Sequence, residues 1–428
     1  MSAHQPAAHS AATPPAAHLL PLDDYRAPAM PADGALRTLW WRVKKQFRPS
    51  AEADAVRDEN RLRATTLQLL DEVAPGPACG PLLQGFDAAV DGWLHEPHGS
   101  QHRVLVLPPC DAGDVLGEWA QARGHDVLHG PERSRSGAPP PRPPQRHASA
   151  AAGTDFLPQD GDDALLVIPR LEDWFVRQRN GLHAVRALLA ELQHTRRRCL
   201  IGCNSWAWAF LVRAAGAAVA LPSPLAFPAW DARRLRAWFS ALAAQAGAQP
   251  VVFRLASSGA DVLAPRGEDD APDCEPDCNY LAELAARSHG IAWVAWHLWR
   301  KALRTGIDAG DGQPGGAQGG RPAARAASGH GAGAGERTFW IADVPDPALP
   351  PHHEDDALLV LHALLIHGGM GQPELLSVLP DGTATETLPA LLRAGFVEQH
   401  GGRVRLLPSA YPATRRALLA DGFPAGVI

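Results

Sequence analysis

Residues 102–116 read HRVLVLPPCDAGDVL. Val104-Leu105-Val106-Leu107 is a continuous apolar run closed by two prolines, the pattern of a strand buried on both faces. A helix is expected from about Asp114 to Arg123. The same alternation continues downstream. Ala164–Ile168 (ALLVI) reads as a second buried strand and is followed by a helix through GLHAVRALLAELQ. Cys199–Cys203 (CLIGC) reads as a third, followed by a helix in SWAWAFLVRAAG. Residues 231–247 read as a helix and 250–255 (PVVFRL) as a further strand. Strands alternating with helices at this spacing imply a parallel sheet covered on both faces.

Strand, turn and helix in that order are also the setting of the phosphate-binding pattern G-x-x-x-x-G-K-[ST]. Here Gly113 keeps the second glycine. Pro108 holds the first position, Asp114 the lysine position and Val115 the hydroxyl position. The lysine neutralises β- and γ-phosphates and the hydroxyl ligates magnesium. An aspartate repels phosphate, and a valine offers no ligand. After the second strand comes Pro169-Arg170-Leu171-Glu172-Asp173. Magnesium-binding ATPases place an acid directly after this strand. Glu172 and Asp173 are displaced by about a turn, where a helix N-terminus favours them simply as solvated acids. Asn204, at the end of the third strand, is a candidate polar group of the same site or a cap for the next helix.

Residues 279–304, NYLAELAARSHGIAWVAWHLWRKALR, read as two helices joined at His289-Gly290. The pattern of Leu284, Ala285, Ser288, Gly290, Ala295, Leu298 and Trp299 resembles the lid of AAA+ and STAND-type ATPases. The resemblance covers roughly residues 75–304. It implies that Asn204 stands where a polar residue senses the γ-phosphate, and that Arg287 or Arg300 stands where a lid arginine reaches nucleotide. Trp293, Trp296 and Trp299 are three apart and trace one stripe, read as core.

Residues 355–428 resemble a winged helix. Asp355–His367 is the expected first helix, 372–378 the second and Thr383–Ala394 the helix in the recognition position. Phe396–Leu406 alternates around Gly401-Gly402, as a two-stranded wing does. DNA recognition needs cations on phosphates and donors for base edges. This stretch has five arginines, no lysine and seven acidic residues, a formal charge of −2. A protein-contact role is therefore favoured over DNA.

The chain of 428 residues is 46% hydrophobic, carries a net charge of −6 and contains three lysines. That balance argues against a general polyanion binder. Two of the lysines lie in ALRTLWWRVKKQFR, residues 35–48. There Leu36, Leu39, Trp40, Val43 and Phe47 share one helical face, while Lys44 and Lys45 lie on others. Such a helix docks against the protein's own core with its basic residues in water, or lies at a membrane surface or on a partner. No apolar run approaches the ~20 residues of a membrane span, no secretory signal is recognised, and a reducing cytoplasm is the default.

The expected fold is α/β: a P-loop NTPase-like parallel sheet flanked by helices, with a helical lid and a C-terminal winged-helix domain. The expected divisions are a disordered tail (1–33), an N-terminal helical segment (34–98), a core (99–265) with a disordered insertion (131–160), the lid (266–304), a flexible linker (305–340) and the winged helix (341–428). The expected function is that of a regulatory or scaffolding pseudo-ATPase with a protein partner and no required metal or cofactor. The alternatives are weak ATP and magnesium binding through the loop near Gly113, supported by Glu172 and Asn204, and DNA regulation by the winged helix.

Overall fold

The computed structural model describes residues 19–31, 62–74, 80–96, 99–110, 114–131, 156–157, 165–245, 250–264, 279–306, 337–351, 353–380 and 382–428. Its strands form three sheets. In chain order the strands are β1 (Leu20–Pro21), β2 (Leu62–Ala64), β3 (His102–Leu107), β4 (Asp126–Val127), β5 (Leu166–Ile168), β6 (Cys199–Asn204) and β7 (Leu225–Ala226). They continue as β8 (Val251–Leu255), β9 (Leu303–Gly306), β10 (Arg337–Ile341), β11 (Met370–Gly371), β12 (Val397–His400) and β13 (Arg403–Leu406).

The central sheet has the order β1-β7-β3-β6-β5-β4. Its last five strands are parallel, and β1 adds an antiparallel edge. Side chains of β3, β5 and β6 alternate between two covered faces. On one face Leu105, Val167 and Leu200 meet Phe86, Val90 and Trp93 of the helix Gly80–Leu94, and Leu116, Trp119 and Ala120 of the helix Val115–Ala122. With Leu67–Val73 as α1, these two are α2 and α3. On the other face Val104, Val106, Leu166, Ile168, Ile201 and Cys203 meet α4 (His183–Leu192) and α5 (Ser205–Ala214). A short helix, α6 (Ala217–Ala220), leads on to β7.

The second sheet, β2-β9-β10-β8, packs with α7 (Ala232–Ala244), α8 (Tyr280–Arg287) and α9 (Ala292–Ala302). Trp299 stacks on Phe239 at 4.1 Å between ring centroids and also meets Phe253, so the tryptophan stripe lies largely in the core. The α8–α9 bend falls at His289 and Gly290, both with positive φ.

The C-terminal unit contains α10 (Glu354–His367), α11 (Gln372–Val378), α12 (Thr383–Arg393) and α13 (Tyr411–Ala420), with the sheet β11-β13-β12. The β12–β13 turn uses Gly401 (φ 57°) and Gly402 (φ 76°), as a tight two-residue hairpin demands. Nearly all of α10 from Ala357 to His367 is buried, so this helix is apolar on every face. It packs on both α5 and α12.

Several expectations are corrected. Val251–Leu255 forms the strand expected at 250–255, but in the second sheet and not in the central one. Arg337–Ile341, expected as the end of a linker and the first residue of the winged helix, pairs in parallel with Val251–Leu255 along its full length. Leu62–Ala64, expected as helix, pairs with β9. Within the expected disordered tail, Leu20–Pro21 pairs with β7, and Leu22 and Tyr25 are buried. The helix expected at 35–48, with Leu36, Leu39, Trp40, Val43, Lys44, Lys45 and Phe47, lies outside the described residues. Among the described residues no helix is long and apolar enough to cross a membrane.

Gly202 lies beside Leu105 in the central sheet. A Cβ there would sit 2.2 Å from the Pro169 carbonyl oxygen and 2.5 Å from Leu116 Cδ1. Gly202→Ala is expected to destabilise the protein by about 1–3 kcal/mol through overpacking, read as a lowered urea midpoint. An unchanged midpoint would contradict the close packing of α3 on β6.

Candidate functional site

The chain leaves β3 through α3 toward β4, past β6 and β5. It leaves β6 through α5 and α6 toward β7, past β3. Two adjacent strands thus send their connections in opposite directions, with helices on opposite faces. This is a topological switch point, where open parallel sheets bind ligands beyond the carboxyl ends of their strands. Pro108, Asp114, Val115, Arg170, Glu172 and Asn204 line the crevice there, and Gly368 of the C-terminal unit reaches into it. Five of the six nucleotide-site candidates are therefore brought together. Gly113 lies outside the described residues.

Pro108 follows β3, and Val115 opens α3, half-buried. Asp114 is the N-cap of α3, its Oδ1 accepting the Gly117 N–H at 3.0 Å. A helix N-terminus attracts an anion, and here the chain supplies its own carboxylate.

Glu172 is 4% exposed, which corrects the expectation of a solvated acid. It lies in a single 3-10 turn, Leu171–Trp174. Its Oε2 accepts the Asn204 N–H at 3.2 Å, and Arg170 Nη2 lies 3.4 Å from Oε1. Burial pushes the Glu172 carboxyl above its ordinary range, while Arg170 pulls the other way. Arg170 also pairs with Asp173 at 3.3 Å.

Asn204 joins three elements. Its Oδ1 accepts the N–H groups of Trp206 at 3.0 Å and Ala207 at 2.9 Å, capping α5. Its Nδ2 donates to the Ile366 carbonyl, at the end of α10, at 2.8 Å. Gly368 ends α10 with φ 63°, and a Cβ on it would lie 2.6 Å from Arg170 Nη2. The glycine thus allows both the left-handed cap and the close passage of the guanidinium.

The crevice is narrow. Its water-accessible space is about 20 Å³, room for about one water. Trp293 of α9 donates to the Pro109 carbonyl at 2.8 Å. Ser205 Oγ and Tyr411 Oη both donate to the Ile428 carbonyl. Arg287 pairs with Asp346, and Arg300 pairs with Asp71 and donates to the Ala74 carbonyl, so both arginines of the helix pair are engaged in structural contacts. Arg405 pairs with Glu398, and Arg403 donates to the Gly369 carbonyl. Cys199 and Cys203 are buried free thiols whose pKa values burial raises. Among the described residues no group of three His, Cys, Asp or Glu side chains is placed to hold a metal.

Sequence reasoning missed the part played by Arg170 and Gly368. Arg170 stood in plain view after the second strand, but its neighbour at 368 has no local signal. Comparisons with known protein families, curated sequences and solved structures find no match for this chain.

Asn204→Ala removes a cap and an interdomain hydrogen bond together. It is expected to cost about 2–3 kcal/mol, against about 1 kcal/mol for Asp114→Ala, which removes a cap alone. Equal urea midpoints for the two variants would contradict the bridging role of Asn204.

Proposed function

We propose that this chain is a regulatory or scaffolding protein of degenerate AAA+/STAND type, acting through protein contacts without standard ATP hydrolysis. Numbered along the central sheet, the five parallel strands run fifth-first-fourth-third-second, and the loop after the first opens at the switch point. The α8–α9 pair leans on that loop as a lid does. The C-terminal unit combines helices and a three-stranded antiparallel sheet in the winged-helix sequence of elements.

The observation that carries the reading is the way the crevice residues are used. Asp114 caps α3, Glu172 holds the Asn204 backbone, and Asn204 ties β6 and α5 to α10. A phosphate would have to displace the Asp114 carboxylate from the helix N-terminus without a lysine to neutralise it. The polar groups at a nucleotide switch are here committed to holding the C-terminal unit closed. In this reading a protein partner that prefers an open arrangement shifts the unit away from the crevice. The basic amphipathic pattern of residues 35–48 offers a further contact, to that partner or to a membrane surface.

Isothermal titration of the full chain with ATP and with ADP, each with and without magnesium, tests the proposal. The expected result is no binding at millimolar nucleotide. Micromolar affinity for either nucleotide overturns the pseudo-ATPase reading and restores the ATPase alternative, with Glu172→Gln as the variant to follow.

A further inference from the structure

Four histidines lie along the seam between the C-terminal unit and the rest of the chain, and Arg177 reaches two of them across it. His362 of α10 receives a hydrogen bond at Nδ1 from Arg177 Nη1, at 2.7 Å. The Arg177 amide donates in turn to Nε2 of His367, at 3.3 Å. His289, at the α8–α9 bend, packs edge-on against Tyr411 with ring centroids 6.2 Å apart, and Arg415 of α13 acts on it. His297 of α9 is acted on by Glu398 and Arg405 of the β12–β13 pair and by Arg300 of its own helix.

The remaining neighbours are mostly uncharged. Trp206 and Phe423 flank His362, and the backbone at Pro424 favours its charged form, against burial and Arg177. Phe175 lies against His367. Tyr25 Oη donates to the His289 carbonyl at 2.6 Å. Glu398, the acid facing His297, is itself paired with Arg405.

We propose that this seam is an acid-operated latch, in which protonation of His362 and His289 sets cations against Arg177 and Arg415 and frees the C-terminal unit from the crevice. The geometry makes His362 the principal element. A ring nitrogen that accepts a hydrogen bond from a guanidinium needs its lone pair, and an imidazolium has none. Burial, reinforced by the facing arginine, holds His362 down to about 3 and His289 to about 4. Burial also holds His297 down to about 4, but there Glu398 opposes more strongly than either Arg300 or Arg405 adds, so His297 is left out of the latch. Each of the two latch rings regains its ordinary value of 6.5 when the seam opens, so the open form binds protons more readily. Closure is therefore complete above about pH 6.5 and is lost as the pH falls toward 4 and 3. At pH 5 a ring moving from 6.5 to 3 changes the closing equilibrium about thirtyfold. The latch is independent of nucleotide binding.

Hydrogen exchange on the full chain at pH 7.5 and pH 5, expressed as protection factors, tests it. Protection in α10 and in residues 423–428 is expected to fall at least about tenfold at pH 5, while β3 keeps its protection. In His362→Asn, which retains an acceptor but does not titrate, the fall is expected to be clearly smaller. Loss of protection in β3 together with α10, or in neither, overturns the proposal, as does an undiminished fall in His362→Asn. Should that variant not fold, Arg177→Gln replaces it. Removing the facing cation is expected to move the loss to lower pH, and an unmoved loss overturns the proposal.

Discussion

The Asn204 side chain fixes how the parts of this molecule meet. It is 6% exposed, at the carboxyl end of a strand buried on both faces. A buried amide left unpaired is destabilising by about 1–3 kcal/mol, so its position is allowed only where α5 offers two N–H groups and α10 offers a carbonyl. The same residue's backbone N–H satisfies Glu172. One strand end thus sets the start of α5, the place of a buried acid and the docking of the C-terminal helix. Low dielectric strengthens each of these bonds and makes each vacancy more damaging.

The crevice follows from that constraint. A parallel sheet with connections leaving in opposite directions necessarily opens a cleft at its carboxyl edge. In this chain the cleft is filled from within: an aspartate at the N-terminus of α3, an Arg170–Glu172–Asp173 cluster across it, and the end of α10 above. Gly368 has φ 63°, a conformation that side chains rarely adopt, and its missing Cβ leaves room for the Arg170 guanidinium. The arginine offsets the charge of a carboxylate that burial alone would favour protonated, and the arrangement leaves space for about one water.

Much of the architecture was legible because it rests on local patterns. The apolar runs at 104–107, 164–168 and 199–203 mark strands covered on both faces. The C-terminal helices and the Gly401-Gly402 hairpin were readable from periodicity and turn chemistry. The second sheet was not. PVVFRL announces a strand but not its neighbours, and its partner Arg337–Ile341 lies 86 positions on in the register that joins Val251 to Arg337. Leu62–Ala64 carries no β-branched or alternating signal. Of the site, the sequence brought forward Pro108, Asp114, Val115, Glu172 and Asn204, all of which line the crevice. The cap that Asp114 gives α3 is a local contact with Gly117, whereas the burial of Glu172 depends on what packs above it and was not disclosed. Arg177 and His362 are 185 residues apart, and nothing near either one points to the other.

The seam and the helix that crosses it make opposite demands. Along α10 the buried positions are almost all apolar, and the helix has no polar face to turn toward water. At its ends and along the seam stand His362, His367 and the Ile366 carbonyl, each bonded to a group of the central domain. Apolar contact holds the unit down without strong directional preference, whereas the hydrogen bonds select one orientation. An opened unit would present to solvent the side of α10 that now lies on α5. Exposed apolar surface of that kind calls for a cover. Opening, including opening by acid at the seam, is therefore opposed by the apolar surface it uncovers and is most favourable when something takes the place of α5.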